Sequence, residues 1–165
     1  MKKMILLDLD VTFLQMQGYS TMADDCVFQA LAWATDESVE DLKKLFDYGK
    51  HLLPDGRLRP PSIHEVFDYI LDVGGALTPI HRRPQSSHLG LTLNDLSEAK
   101  AKERWESYIS AHEGLLIGHR INSERGHMAY SLNGRVHESN MSYPYQDCLI
   151  YNFNPHMFLV LTWQA

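Results

Sequence analysis

At 165 residues, with 44% hydrophobic and 22% charged side chains, the chain has the size and balance of one folded globular domain, spanning 1–165, rather than of a disordered segment. A formal charge of -6 argues against a surface that neutralises nucleic-acid phosphates, and no apolar run nears the ~20 residues that cross a bilayer. The short apolar stretch before Asp8 has no small-residue cleavage site behind it, so no secretory signal and a cytoplasmic location are expected.

In chain order, MILLDLDVTFL reads as a first strand and MQGYSTMA as a loop. Asp24 and Asp25 stand at N-cap positions before the apolar helix CVFQALAWAT. ESVEDLKKLFDYG predicts a second helix, started by Ser38 and Asp41, striped by Leu42, Leu45 and Phe46, and ended by Gly49. After the turn-rich KHLLPDGRLRPP, Ser62 and Glu65 form a capping-box pattern for a third helix reaching Gly74. ALTPIH is a short strand candidate, residues 82 to 94 an exposed excursion, and DLSEAKAKERWESYIS a fourth helix. LLIGHRI, GHMAYSL, RVHES and FLVLTW read as strands, with Asn133-Gly134 as a two-residue hairpin turn. The expected class is α+β, helices first and an antiparallel sheet after them.

LLDLDVTFL resembles the first motif of the haloacid dehalogenase superfamily, in which Asp8 would attack phosphorus and Asp10 act as acid/base beside Mg²⁺. That chemistry also needs a later acidic pair, and after Asp95 the chain has one aspartate, Asp147. Asp8 and Asp10 alternate with Leu7 and Leu9, as a half-buried strand with one solvated face requires, and this plainer reading is preferred.

Cys26 opens its helix, where unpaired N–H groups and the positive end of the macrodipole favour a thiolate. A buried structural thiol is the alternative. Of nine histidines, His127 is best placed to take a thiol proton, because Gly126-His127 leads into the Asn-Gly hairpin. With Asn133-Gly134 as the turn, Leu132 pairs with Arg135, Ala129 with Glu138 and His127 with Asn140. His127, Glu138 and Asn140 then share a face, and either Glu138 or Asn140 is in reach of the imidazole.

These pieces, in the order LDVTFLQMQ, DDCVFQALAWAT, HEGLLIGHRI and GHMAYSLNGRVHES, resemble the papain-like cysteine peptidase superfamily. The likeness is greatest to its compact bacterial and phage-type branch and to the bacteriocin-processing peptidases. It implies N-terminal helices carrying the nucleophile and packed on a C-terminal antiparallel sheet. It also implies Cys26 as nucleophile, His127 as general base and then acid, and Gln17 or Gln15 donating to the oxyanion beside the Cys26 backbone N–H. The family pattern favours Glu138 as third member, whereas ideal hairpin pairing favours Asn140. Val27 departs from the glycine that follows the cysteine in the bacteriocin-processing branch.

His119 is expected to be a core histidine, Cys148 a core thiol, and Tyr143, Tyr145, Tyr151 and Phe153 sheet-packing residues. No His-x₃-His spacing joins His51, His64, His81 and His88, so neither metal nor cofactor is expected. The functional expectation is a cysteine-dependent amide hydrolase acting on a peptide or protein substrate through a thioester. The competing expectation is a catalytically inactive papain-like binding protein, phage-encoded, that inhibits or redirects a host protein.

Overall fold

A computed structural model describes residues 25–46, 60–82, 98–121 and 125–164. The chain is α+β, with four helices and six strands among the described residues. The elements are α1 (Cys26–Thr35), α2 (Val39–Leu45), α3 (Ile63–Asp72), β1 (Gly75–His81), α4 (Glu98–Ala111), β2 (Glu113–Arg120), β3 (Gly126–Leu132), β4 (Arg135–Glu138), β5 (Met141–Pro144) and β6 (Phe153–Trp163). The expected first strand lies outside the described residues, as do Gly49 and the excursion from residue 83 onward.

The caps act as the sequence predicts in α2 and α3. Ser38 Oγ accepts from the Asp41 N–H at 3.1 Å, and Ser62 Oγ from the Glu65 N–H at 3.2 Å, each satisfying a first-turn donor. Asp25 occupies the N-cap of α1 but makes no side-chain cap; its carboxylate pairs with Lys43 at 2.9 Å and ties α1 to α2. Leu45, expected in the buried stripe of α2, is exposed, and Leu42 carries the burial there.

The strands form one sheet in the order β1-β6-β2-β3-β4-β5, and every adjacent pair is antiparallel. The sheet therefore does not belong wholly to the C-terminal half: β1, from between the helices, lies against the last strand. Sequence reasoning missed β5, a four-residue strand ending at Pro144, where the missing N–H suits an edge. Asn133 and Gly134 turn the β3–β4 hairpin at φ 50° and 83°, the left-handed pair that matches strand twist.

Alternation along the strands divides the core into two layers. On one face, Leu115, Ile117, Met128, Tyr130, Leu159 and Leu161 pack with α1 and α3. On the other, Leu116, Ala129, Val136 and Phe158 pack with Trp105 and Ile109 of α4. Between β2 and β6 the register slips at Ile117/Gly118, leaving His156 as an extra residue. A Cβ on Gly118 would lie 2.0 Å from the Asn154 carbonyl oxygen, so only glycine lets the bulged strand approach. Gly118 pairs across β2–β3 with His127.

No helix among the described residues is long and apolar enough to cross a membrane.

Candidate functional site

The site begins at the start of β3. His127 alternates with Ala129, so its ring faces the α4 layer, where Phe153 meets it edge-on at 4.8 Å. Its Nε2 is hydrogen-bonded to Glu138 Oε1. Its Nδ1 is buried and has no hydrogen-bond partner among the described residues.

Glu138 lies at the end of β4, and its side chain is 5% exposed. Besides His127, Oε1 accepts from Arg120 Nη2 at 3.1 Å, and Oε2 accepts from the Tyr143 hydroxyl. Burial alone would raise the Glu138 pKa. The bonds from His127 and Tyr143 and the nearby Arg120 charge outweigh it and hold the carboxyl below its usual range. Burial, then the bond to Glu138, pushes the Tyr143 hydroxyl strongly the other way. Arg120 is held in turn by donation from Nη1 to the Tyr151 carbonyl at 3.1 Å, and Tyr151 stacks on Tyr143 at 4.1 Å.

Cys26 is the first residue of α1 and is buried with Val27, Phe28 and Met128 in the opposite layer. Its thiol reaches the sheet at the Met128 backbone N–H, one residue from His127. Burial raises its pKa to about 12. The Met128 and Val27 N–H groups and Arg120 pull against this, and Glu138 adds to it. The thiolate expected from the helix terminus is therefore corrected: desolvation outweighs the N–H groups and the Arg120 charge that favour the anion, and burial keeps Cys26 a thiol at neutral pH.

The structure thus brings His127 and Glu138 into contact, whereas Cys26 lies on the other face of the sheet, where Arg120 and Glu138 still act on its thiol through their charges. It does not bring Asn140 to the imidazole. The β3–β4 ladder runs from Leu132↔Arg135 to Tyr130↔His137, after which Ser139, at φ 35°, turns the chain, and Asn140 is exposed. Continuous pairing to His127↔Asn140 fails because β4 leaves to begin β5. Gln15 and Gln17 lie outside the described residues, as do Asp8 and Asp10.

Sequence reasoning did not find Arg120 and Tyr143 as partners of Glu138. The signal for Arg120 was a lone cation ending an apolar strand; Tyr143 carried none beyond its aromatic ring. His119, expected in the core, is half-buried, and its Nδ1 lies 2.6 Å from Nε2 of the bulged His156. Cys148 is buried in the α4-side cluster. Among the described residues no three His, Cys, Asp or Glu side chains gather as metal ligands.

Comparison of the chain with protein-family models, with curated proteins and with solved structures finds no match.

Proposed function

We propose that the chain is a cysteine-dependent amide hydrolase of papain-like type that acts on a peptide or protein in the cytoplasm. The observation that carries this reading is the polarity of the His127 ring. Glu138 holds Nε2 and leaves a buried, unbonded Nδ1, and Met128, the next residue of β3, meets the Cys26 thiol with its N–H from the other face of the sheet.

In this mechanism His127 Nδ1 takes the thiol proton as Cys26 Sγ bonds to the amide carbonyl carbon, and the carbonyl π electrons move onto oxygen. The oxyanion is held by the Cys26 backbone N–H and by Gln15 or Gln17, which the family resemblance supplies. On collapse the C–N bond breaks and the imidazolium gives its proton to the leaving amine. Water, deprotonated by His127, then attacks the thioester carbon; as the C–S bond breaks the imidazolium returns this proton to Sγ, which restores the thiol and frees the carboxylic acid. Glu138 orients the ring and stabilises its protonated form. Because burial keeps the resting group a thiol, proton transfer must accompany attack, and the complex must bring together Sγ and Nδ1, which lie on opposite faces of the sheet in the resting chain.

A second reading, an inactive papain-like scaffold of phage origin that binds a host protein, draws support from the buried, neutral thiol. The two separate by treatment with a set of peptidyl aldehydes and vinyl sulfones. The hydrolase predicts an adduct on Cys26 that is lost in His127→Ala. No adduct, together with full biological activity of Cys26→Ala, leaves the binding protein.

A further inference from the structure

At the C-terminal end of α1, beside the β4–β5 turn, a cleft of about 240 Å³ is lined by Gln29, Ala32, Trp33, Asp36, Val39 and Ser139. Its floor is unusual for a helix that is otherwise core: the Trp33 indole is 45% exposed. It is nonetheless fixed, tilted on His137 at 4.6 Å and lying parallel to Tyr130 at 6.4 Å.

Three features of one sign converge on this space. An exposed indole face attracts cations through its quadrupole. Asp36, exposed at φ 61° as the C-cap of α1, brings a carboxylate to the rim. The negative end of the α1 macrodipole opens at the same point, and no basic residue in the last turn of α1 offsets it. Among the described residues no cation lines the cleft; of the cations on α2 and β4, Lys43 pairs with Asp25 and Arg135 donates to Ser142 Oγ at 2.7 Å.

We propose that this cleft is a binding subsite for a lysine or arginine side chain, whose stem lies along Trp33 and whose charged head meets Asp36. Its position gives it a place in the reaction, on the reading of Cys26 as nucleophile. Cys26, Gln29 and Trp33 fall at i, i+3 and i+7 on one helix face. At about 1.5 Å per residue Trp33 stands about 10 Å beyond Cys26, which is about three residues of extended peptide. Ser139, across the cleft, directly follows Glu138. On that reading the subsite favours substrates with a basic residue close to the amide that Cys26 attacks.

The test is a titration of the full chain with Ac-Gly-Lys-Gly-NH₂, Ac-Gly-Arg-Gly-NH₂, the isosteric norleucine peptide and the glutamate peptide, followed at the Trp33 indole N–H resonance by NMR. The lysine and arginine peptides are expected to shift it saturably and to bind about fivefold tighter than norleucine. Asp36→Asn, which retains a side chain suited to the left-handed backbone, is expected to remove most of that preference, and Trp33→Leu to weaken every peptide. Equal binding of lysine and norleucine, tighter binding of glutamate, or no shift up to the solubility limit overturns the proposal. Labelling of Cys26 by an arginyl aldehyde is read separately. Cation binding without labelling removes the hydrolase and keeps the subsite; labelling without cation preference does the reverse.

Discussion

Glu138 holds His127 by Nε2 and leaves Nδ1 of the same buried ring unbonded. One carboxylate thereby fixes both the orientation of the imidazole and the nitrogen free to accept a proton. Because Glu138 also receives Arg120 and Tyr143, its removal leaves three donors without their common acceptor. Breaking a buried ion pair from one side costs about 3–5 kcal/mol, so Glu138→Ala is expected to lose that much in urea unfolding near pH 7. The sign with pH follows from the depressed pKa: the Glu138 contribution is complete above its usual 4.5 and is lost as pH falls through the lower folded value. The gap between parent and variant should narrow in acid; a gap constant from pH 7 to pH 3 contradicts the assignment.

Thiol chemistry gives the second prediction. With pKa values raised to about 12, Cys26 and Cys148 each present about one thiolate in 10⁵ at pH 7. Iodoacetamide should label both far more slowly than an unstructured thiol, and both at ordinary rates in denaturant, as site-resolved mass spectrometry would show. The raised Cys26 pKa leaves stability intact below about pH 9 and erodes it as pH climbs toward 12. Cys26→Ala should be less sensitive to alkali over that range. Rapid labelling of native Cys26 at pH 6 is the contrary result.

Local chemistry was what the sequence made legible. Ser38 and Ser62 announced their helices, Asn133-Gly134 fixed the hairpin, and period-two spacing placed His127 and Glu138 on one face. Asn140 was misplaced because pairing by alternation assumes a strand that continues, whereas the backbone turns at Ser139 with nothing like an Asn-Gly signal to mark it. Burial was hidden too. A cysteine behind acidic caps reads as activated, yet its state depends on Met128 and the layer packed over α1, which are remote in sequence. Arg120 and Tyr143 belong to the same class of long-range facts.

Gly118 is the backbone counterpart of this site. It pairs with His127 on one side, and on the other the bulged β6 leaves its missing Cβ no room, with Asn154 O at 2.0 Å and Pro155 Cα at 2.6 Å. Since both obstacles are main chain, side-chain rotation gives no relief. Gly118→Ala is expected to cost about 1–3 kcal/mol by overpacking and to shift the His127 ring resonances. Gly134→Ala, where the penalty comes from φ 83° in the turn, should cost about 1–2 kcal/mol and leave those resonances in place. Equal effects of the two variants at His127 would detach Gly118 from the site.

Tyr143 tests the hydroxyl contribution to the carboxylate. The ring is buried and stacked on Tyr151, so Tyr143→Phe keeps the packing and deletes the hydroxyl, which donates to Glu138 Oε2 and also meets the Cys148 thiol. Hydrogen bonds to a charged group contribute about 1.5–3 kcal/mol, and a loss in that range is expected at pH 7. Without this donor the balance at Glu138 moves toward desolvation, and its pKa should rise. A carboxyl ¹³C titration of Glu138 in parent and variant checks the direction. The stability difference should be full where Glu138 is ionised in the parent and shrink as acid protonates it, since a neutral carboxyl is a weaker acceptor. In the hydrolase, His127 keeps its Glu138 bond in this variant, so Tyr143→Phe should retain more turnover than His127→Ala. An unchanged Glu138 titration would mean that His127 and Arg120 alone hold the carboxylate ionised.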